Sequence, residues 1–238
     1  FDVLYDYRDK IHNILARHEQ GAIHSAQGFA RVSGKPGVVI VTSGPAATNL
    51  ITGLGDAKMD STPLVVISGQ VGASALGSDA FQETDVLGIT QPLSKWSYQI
   101  RNAEDIPWAV ARAFYIAANG RPGPVVLDLA KNAQNQKIEW NGYRQCNYIR
   151  SYNPYPDVPK KLLLEAADII NDAKRPFILA GNGVTISGAE RELAAIAEKA
   201  NIPVATTLLG LSCISSDHPL YKGMIGMHGN VARNIATT

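Results

Sequence analysis

One acidic residue stands where an α/β protein commonly places a functional side chain. Glu19 follows a short apolar segment, residues 14–17, that we predict as a strand, and it precedes a helical pattern over residues 22–33. Ligands of open parallel sheets bind beyond the carboxyl ends of the strands, so a carboxylate here could exchange a proton with a bound molecule. The alternative is structural, because the helix dipole also stabilises an acid in the first helical turn. The pattern alone leaves both interpretations open.

Three further polar segments follow predicted strands. Residues 42–49 (TSGPAATN) open a helix with small side chains, and residues 79–83 (DAFQE) place an aromatic ring beside an amide. Residues 181–183 (GNG) follow a strand and resemble part of a dinucleotide-binding turn, although Ile186 stands where the third glycine is expected. Together these segments predict a polar site for a small molecule.

The elements that would position these residues alternate between strand and helix. Apolar strands are predicted at residues 37–42, 64–68 and 125–129, and helices at 46–58 and 103–118. Continuous apolar strands interleaved with helices indicate a parallel sheet covered on both faces. The predicted fold class is therefore α/β, with three layers.

A polar, aromatic and proline-rich stretch then interrupts the pattern at residues 132–159. After it, helices at 160–173 and 187–200 and strands at 176–180 and 202–206 begin a second Rossmann-like domain. We predict a first domain over residues 1–147, a linker over 148–158 and an incomplete second domain over 159–238.

Composition narrows the functional classes. The 238 residues include 22 Lys and Arg against 21 Asp and Glu, a net charge of +1, which gives no electrostatic footprint for nucleic acid or an anionic membrane. No apolar run approaches the ~18 residues of a membrane span. Two distant cysteines and the lack of a secretory signal favour a reducing, cytoplasmic location. The chain starts at Phe1, and we expect it to be part of a longer protein.

The exact residue sequences of six segments indicate a particular protein family, which their spacing alone does not. The chain resembles the large catalytic subunit of acetolactate synthase, a thiamine diphosphate (ThDP) enzyme, along its whole length. The resemblance depends on HEQGA at 18–22, TSGPAATNLITG at 42–53, GQV at 69–71, DAFQE at 79–83, GRPGP at 120–124 and GMHG at 226–229.

The resemblance implies a fold and a reaction. The first domain would be the ThDP pyrimidine-binding domain without its first strand, and the second would begin the central FAD-associated domain. The reaction would be decarboxylation of pyruvate and transfer of its two-carbon unit to pyruvate or 2-ketobutyrate, in branched-chain amino acid biosynthesis. The flavin would be largely architectural.

It also implies roles for particular residues. Glu19 would hydrogen-bond the aminopyrimidine of ThDP from a partly buried position that raises its pKa, and Gln82 would contact the reacting molecules. Phe81 and Lys131 would line the substrate channel. The wall near the pyrimidine would comprise Thr42, Ser43, Gly44, Pro45 and Asn49. The FAD contacts would be Arg121, Gly181, Asn182, Gly183, Thr207, Leu208, Met227 and His228.

The resemblance places the Mg²⁺ that holds the ThDP diphosphate in a carboxyl-terminal domain, and no metal ligand is assigned within this chain. Its nearest G-D-G string is Gly55-Asp56-Ala57, predicted mid-helix. The family forms homodimers or homotetramers, sometimes with a regulatory small subunit. We expect the isolated chain to be inactive and to bind ThDP and FAD poorly.

Three residues depart from the family pattern. Ala46 stands where the family usually has glycine, and alanine would be strained if that position needed a positive φ. Asn132 replaces a frequent aspartate, and Asn182 interrupts a run of glycines.

Two other functions stay open. One is another ThDP-dependent 2-ketoacid decarboxylase or carboligase, such as a glyoxylate carboligase, which product analysis with pyruvate would distinguish. The other is a non-catalytic Rossmann-like nucleotide-binding module, in which Glu19→Gln would leave function intact.

Overall fold

The computed structural model describes residues 2–229 together with residues 231 and 234. Internal contacts divide the chain into two units, one ending at Pro156 and the other beginning at Asp157. Each unit is described by itself.

The first unit alternates helices and strands around one sheet. Its elements are α1 (Asp2–Asp6), α2 (Glu19–Ser33), β1 (Gly37–Val41), α3 (Pro45–Thr48), α4 (Ile51–Met59), β2 (Leu64–Gln70), α5 (Val86–Thr90), β3 (Trp96–Ile100), α6 (Ile106–Ala118), β4 (Pro124–Ala130) and α7 (Lys131–Asn135). Short 3₁₀ turns cover Ala73–Ala75, Gln91–Leu93 and Ala103–Asp105.

The sheet of the first unit is parallel throughout, with strand order β1-β2-β4-β3. Side chains of α2 and α4 pack with β1 and β2 in one core, which includes Ile23, Leu54 and Val66. Side chains of α6 pack on the opposite face in a second core, which includes Val65 and Leu127. Helices therefore cover both faces, and the predicted α/β fold class with a parallel sheet is confirmed.

The predicted strand at residues 14–17 is wrong. Residues 12–16 are irregular, and the side chains of Ile14 and Leu15 are 82% and 95% exposed. A strand needs a hydrogen-bonding neighbour, and within the described residues no strand pairs with this segment. The following helix begins at Glu19 rather than at residue 22, because His18 caps it: its Nδ1 accepts a hydrogen bond from the Gln20 amide at 3.2 Å.

The second unit contains α8 (Lys160–Asp172), β5 (Ile178–Ala180), α9 (Asn182–Ser187), α10 (Glu190–Ala200), β6 (Val204–Thr206) and β7 (Tyr221–Met224), with a 3₁₀ turn at Leu208–Gly210. Its sheet is parallel in the order β5-β6-β7, around a core that includes Leu193, Val204 and Ile214. Asn182 and Gly183, predicted as part of a turn, lie in the helix α9, whose preceding residue is Gly181, and the helix predicted from residue 187 begins at Glu190.

Part of the predicted linker packs on the first unit. Ile149 is buried with the α6 side chains, and the Tyr152 hydroxyl donates to the Asn119 carbonyl at 2.5 Å. The domain boundaries stay a prediction. Within residues 2–229, 231 and 234, every helix is too short or too polar to cross a membrane.

Candidate functional site at the carboxyl edge of the first sheet

Glu19 lies at the first position of α2, beside the turn that follows β1. The Asn49 side-chain amide donates from Nδ2 to Glu19 Oε2 at 2.9 Å, across 30 residues of sequence. Asn49 occupies this position because it ends α3, whose short turn follows β1 directly. Two residues that sequence analysis assigned to the pyrimidine site are thus brought into direct contact.

The pKa of the Glu19 carboxyl is shifted in the opposite direction from the one expected. The Asn49 hydrogen bond, together with a backbone hydrogen bond, lowers the pKa of the Glu19 carboxyl below its usual value. We predicted a raised pKa from partial burial, and that prediction is wrong for this structure. The carboxyl group lies partly exposed, so desolvation is smaller than the stabilisation of the anion by its donors.

The turn from Thr42 to Pro45 makes close backbone contacts. Gly44 has φ 65° and ψ −120°, and a Cβ at this position would lie 2.8 Å from the Gln82 carbonyl oxygen. A Cβ on Gly69 would lie 3.5 Å from the Ser43 nitrogen. Glycine at position 44 is therefore required both by its backbone conformation and by the approach of the loop that carries Gln82.

Alanine at position 46, where the family usually has glycine, is not strained. Ala46 lies inside α3 with its side chain buried, and it is not among the residues with positive φ. The left-handed residue of this turn is Gly44, and Pro45 at the first helical position already has a suitable φ. The condition attached to the expected strain at Ala46, a positive φ, is therefore not met.

The DAFQE segment forms an exposed loop at the same edge. Phe81 is 90% exposed, and Gln82 has a left-handed backbone with φ 61°. Lys131 begins α7 directly after β4, and its amide donates to the Val71 carbonyl at 3.4 Å. The loop residues and Lys131 thus follow strands β2 and β4, which are neighbours in the sheet.

A buried polar network lies beneath this edge, and it was not predicted from the sequence. Asp128 lies inside β4 with no exposed surface, and its Oδ2 accepts from Gln99 Nε2 at 2.8 Å and Gln70 Nε2 at 3.2 Å. Burial raises the pKa of the Asp128 carboxyl to about 6. Its Oδ1 has no hydrogen-bond partner among the described residues. The available signal was an acid within an otherwise apolar strand, PVVLDLA.

The predicted flavin residues of the second unit cluster at one edge of its sheet. Gly181 and the first residues of α9, Asn182 and Gly183, follow β5. Thr207 and Leu208 follow β6, and Met227 and His228 follow β7 in an exposed segment. The Thr207 amide donates to the Ala180 carbonyl at 3.0 Å, which joins the first two of these segments.

Arg121 lies apart from Glu19 within the first unit. It precedes β4, at the amino edge of the sheet, and donates from Nε to Ser61 Oγ at 2.8 Å and from Nη2 to the Met59 carbonyl at 3.1 Å. It therefore closes the turn between α4 and β2 rather than contacting the cluster at the carboxyl edge.

The residues around Glu19 suit an aminopyrimidine better than a metal ion. Within the described residues, no three or more His, Cys, Asp or Glu side chains lie together in a group that could hold a metal. Glu19 instead offers a single carboxylate beside the Asn49 amide, and the nearby turn after β1 carries the small residues Ser43 and Gly44. One acid with neutral neighbours can hydrogen-bond a ring nitrogen.

Comparison with known families defines the class of protein. Residues 1–89 match the thiamine pyrophosphate enzyme N-terminal TPP binding domain, and residues 163–238 match the thiamine pyrophosphate enzyme central domain. The chain belongs to the thiamine pyrophosphate enzyme family.

Individual relatives refine that assignment. The chain is 48% identical to a probable acetolactate synthase large subunit of Methanocaldococcus jannaschii, covering 100% of this chain and 40% of that protein. It is 46% identical to the acetolactate synthase large subunit of Lactococcus lactis, covering 99% of this chain and 41% of that protein. It therefore spans about 40% of the length of these relatives.

A solved structure also supports membership of the thiamine diphosphate enzyme family. The chain superimposes with a TM-score of 0.81, at 29% identity, on an X-ray structure assigned as a thiamin diphosphate-dependent enzyme of Mycobacterium smegmatis. The match covers 94% of this chain and 43% of that one. The predicted resemblance to acetolactate synthase large subunits is confirmed.

Proposed function

We propose that this chain forms the aminopyrimidine side of the active site in an acetolactate synthase large subunit. The enzyme would decarboxylate pyruvate and join its two-carbon unit to a second 2-ketoacid, either pyruvate or 2-ketobutyrate. The observation that supports this most directly is the Glu19–Asn49 pair, which lies at the carboxyl edge of a parallel sheet. The length and identity of the matching relatives support the choice of reaction.

Glu19 is the residue we expect to act on the cofactor. When bound, thiamine diphosphate supplies the carbon nucleophile and accepts the electrons that decarboxylation releases. The Glu19 carboxylate would hold a proton at ring nitrogen N1′, and Asn49 would fix the orientation of that carboxylate by its 2.9 Å hydrogen bond. Covering the carboxylate with the cofactor ring would remove water and bring its pKa closer to that of a weak ring base.

Three further residues of this edge would act on the substrates. The Gln82 amide would hydrogen-bond the reacting 2-ketoacid, and the exposed Phe81 ring would line its path. Lys131 would attract the substrate carboxylate at the channel mouth, since it starts α7 on the neighbouring strand end.

The remaining assignments extend this proposal to the second unit and to the assembly. FAD would bind at the carboxyl edge of β5, β6 and β7, where Gly181, Gly183 and Thr207 follow the strands. Mg²⁺ would be held by residues outside this chain. We also propose a cytoplasmic homodimer or homotetramer, with or without a regulatory small subunit.

The test is Glu19→Gln in the full-length enzyme, with Glu139→Gln as a control. Glutamine keeps the shape of the side chain but removes its charge, so we expect acetolactate formation from pyruvate to fall by about 10²-fold or more. Glu139 is an exposed glutamate in an irregular segment, and its variant should keep wild-type activity. Wild-type turnover by Glu19→Gln would refute the proposed function. Product analysis with pyruvate and with glyoxylate would separate acetolactate synthase from glyoxylate carboligase.

A further inference from the structure

The loop that carries Phe81 and Gln82 folds around the carboxylate of Glu83. Glu83 Oε1 accepts a hydrogen bond from the Gly77 amide. Its Oε2 accepts from the Ser78 amide at 3.2 Å and from the Ala80 amide at 3.1 Å. One side chain thus satisfies three backbone donors within six residues of sequence, and the loop closes on itself.

This closure is needed because the loop backbone is unfavourable by itself. Gly77, Asp79 and Gln82 have φ values of 79°, 56° and 61°. Two of these residues carry a Cβ, which comes too close to the following carbonyl oxygen in a left-handed conformation and makes it unfavourable. Such a backbone persists only where surrounding contacts hold it.

Both ends of the loop are attached to the sheet edge. The Thr84 carbonyl accepts from Gln70 Nε2 at 2.8 Å, and the same Nε2 lies 3.2 Å from Asp128 Oδ2 in the buried network. At the other end, the Ala73 amide donates to Asn132 Oδ1 at 2.9 Å. In the middle, the Gln82 backbone contacts Gly44. Between these attachments, the Glu83 carboxylate is the group that joins residues 77, 78 and 80.

We propose that Glu83 is a positioning residue, whose carboxylate holds the loop in the conformation that presents Gln82 to the substrate beside Gly44. This inference rests on the proposed function for the role of Gln82, whereas the loop conformation stands on the hydrogen bonds alone. In support, the Gly77 amide and then the Ala80 amide lower the pKa of the Glu83 carboxyl below its usual value. The carboxylate is therefore charged, and able to accept all three bonds, throughout the neutral range.

The first experiment follows backbone hydrogen exchange of this chain by NMR. In Glu83→Gln, one oxygen is replaced by an NH₂ group that cannot accept, so either amide 77 or amides 78 and 80 should exchange at least about tenfold faster. Glu83→Ala should release amides 77 and 80 together, whereas the Ser78 amide keeps a second acceptor, the Ala75 carbonyl at 3.3 Å. The amides of β2 and β4 serve as the internal reference for global stability, and Glu139→Gln serves as the charge-matched control.

The second experiment is a double-variant cycle in the full-length enzyme, using Gln82→Ala and Glu83→Gln. If Glu83 acts through Gln82, the double variant should have a kcat within about twofold of Gln82→Ala alone. Unchanged exchange at residues 77, 78 and 80 in both Glu83 variants would overturn the proposal, and so would fully additive losses of kcat. Faster exchange combined with wild-type kcat in Gln82→Ala would instead support the loop assignment and refute the proposed role of Gln82.

Discussion

The carboxyl edges of the two sheets are built in different ways. In the first unit, side chains connect segments that are far apart in sequence: Asn49 to Glu19 across 30 residues, and Gln70 to Asp128 across 58. In the second unit, the corresponding connections run through the backbone. The Thr207 amide donates to the Ala180 carbonyl, and the Ile225 amide donates to the Thr206 carbonyl, each at 3.0 Å.

This difference predicts which substitutions each edge tolerates. An edge joined by side chains depends on the polar groups present, so its geometry should respond to changes of charge and hydrogen-bonding capacity. An edge joined by backbone depends on how closely two chain segments approach, so it should respond most to added volume. The first arrangement places a carboxylate and an amide side chain together, whereas the second uses backbone N–H groups in contacts between strand ends.

The largest effect is expected from Gly210→Ala in the second unit. A Cβ on Gly210 would lie 2.4 Å from the Ala180 carbonyl oxygen and 3.0 Å from the Gly181 Cα, and both belong to the backbone. We expect this variant to lose about 3 kcal/mol of unfolding free energy, because neither segment can move without opening the β5–β6 edge. Hydrogen exchange of residues 178–206 would measure the loss.

Gly183→Ala is the matched control for that variant. No described atom lies within 4 Å of a Cβ at this position, and Gly183 lies inside α9. Alanine here should be neutral or should stabilise the helix by about 0.5–1 kcal/mol. Equal stability of the Gly210 and Gly183 variants would contradict a backbone-built edge.

A smaller change in stability is expected in the first unit when a change of pH ionises Asp128. Burial raises the pKa of this carboxyl from 3.8 to about 6, so the folded state binds more protons than the unfolded state between these values. Stability should therefore fall as pH rises through this window, by about 2 kcal/mol. Asp128→Asn keeps an oxygen for Gln70 and Gln99 and removes the ionisation, so this fall should disappear.

Urea unfolding at pH 4.5 and pH 7.5 would measure the effect. All three tryptophans, Trp96, Trp108 and Trp140, lie in the first unit, so their fluorescence reports its unfolding. Asp9→Asn is the control, because it removes an exposed carboxylate from the same unit. A pH dependence in Asp128→Asn equal to that of the wild type would show that Asp128 does not set it.

Sequence patterns predicted those strands that contain a continuous apolar run. Strands β1, β2 and β4 lie within two residues of their predicted bounds, because burial between helices requires continuous apolar side chains. Strands β3 and β7 were missed, since WSYQI and YKGM carry polar residues in partly exposed positions. Residues 14–17 show the reverse error: a short apolar run is a strand only where a neighbour pairs with it.

The candidate site, like the strands, was predicted only in part from the sequence. Glu19 and Asn49 were predicted as members of one site, and their contact joins the start of α2 to the turn that follows β1. The Asp128 network could not be predicted, because pairing a buried acid with two glutamines requires the register of β4 against β2 and β3. The lowered pKa of Glu19 likewise depends on the Asn49 hydrogen bond and the remaining exposure, which no sequence pattern specifies.

The smallest effect is expected from Asn132→Asp, which replaces an NH₂ donor with a second, charged oxygen acceptor. Asn132 Oδ1 accepts from the Ala73 amide at 2.9 Å, while its Nδ2 donates to the Arg101 carbonyl at 2.7 Å. An aspartate could keep the first bond but would place a second acceptor against the Arg101 carbonyl, so we expect a loss of about 1 kcal/mol by urea unfolding. The departure from the family's frequent aspartate therefore has a physical reason here, because this edge needs a donor and an acceptor on one side chain.

Asn135→Asp, at an exposed position of the same helix, should cost little. If the two variants unfold at the same urea concentration, the link through Asn132 contributes nothing to the edge, and the contrast between the two sheets would then rest on Asn49 and Gln70 alone.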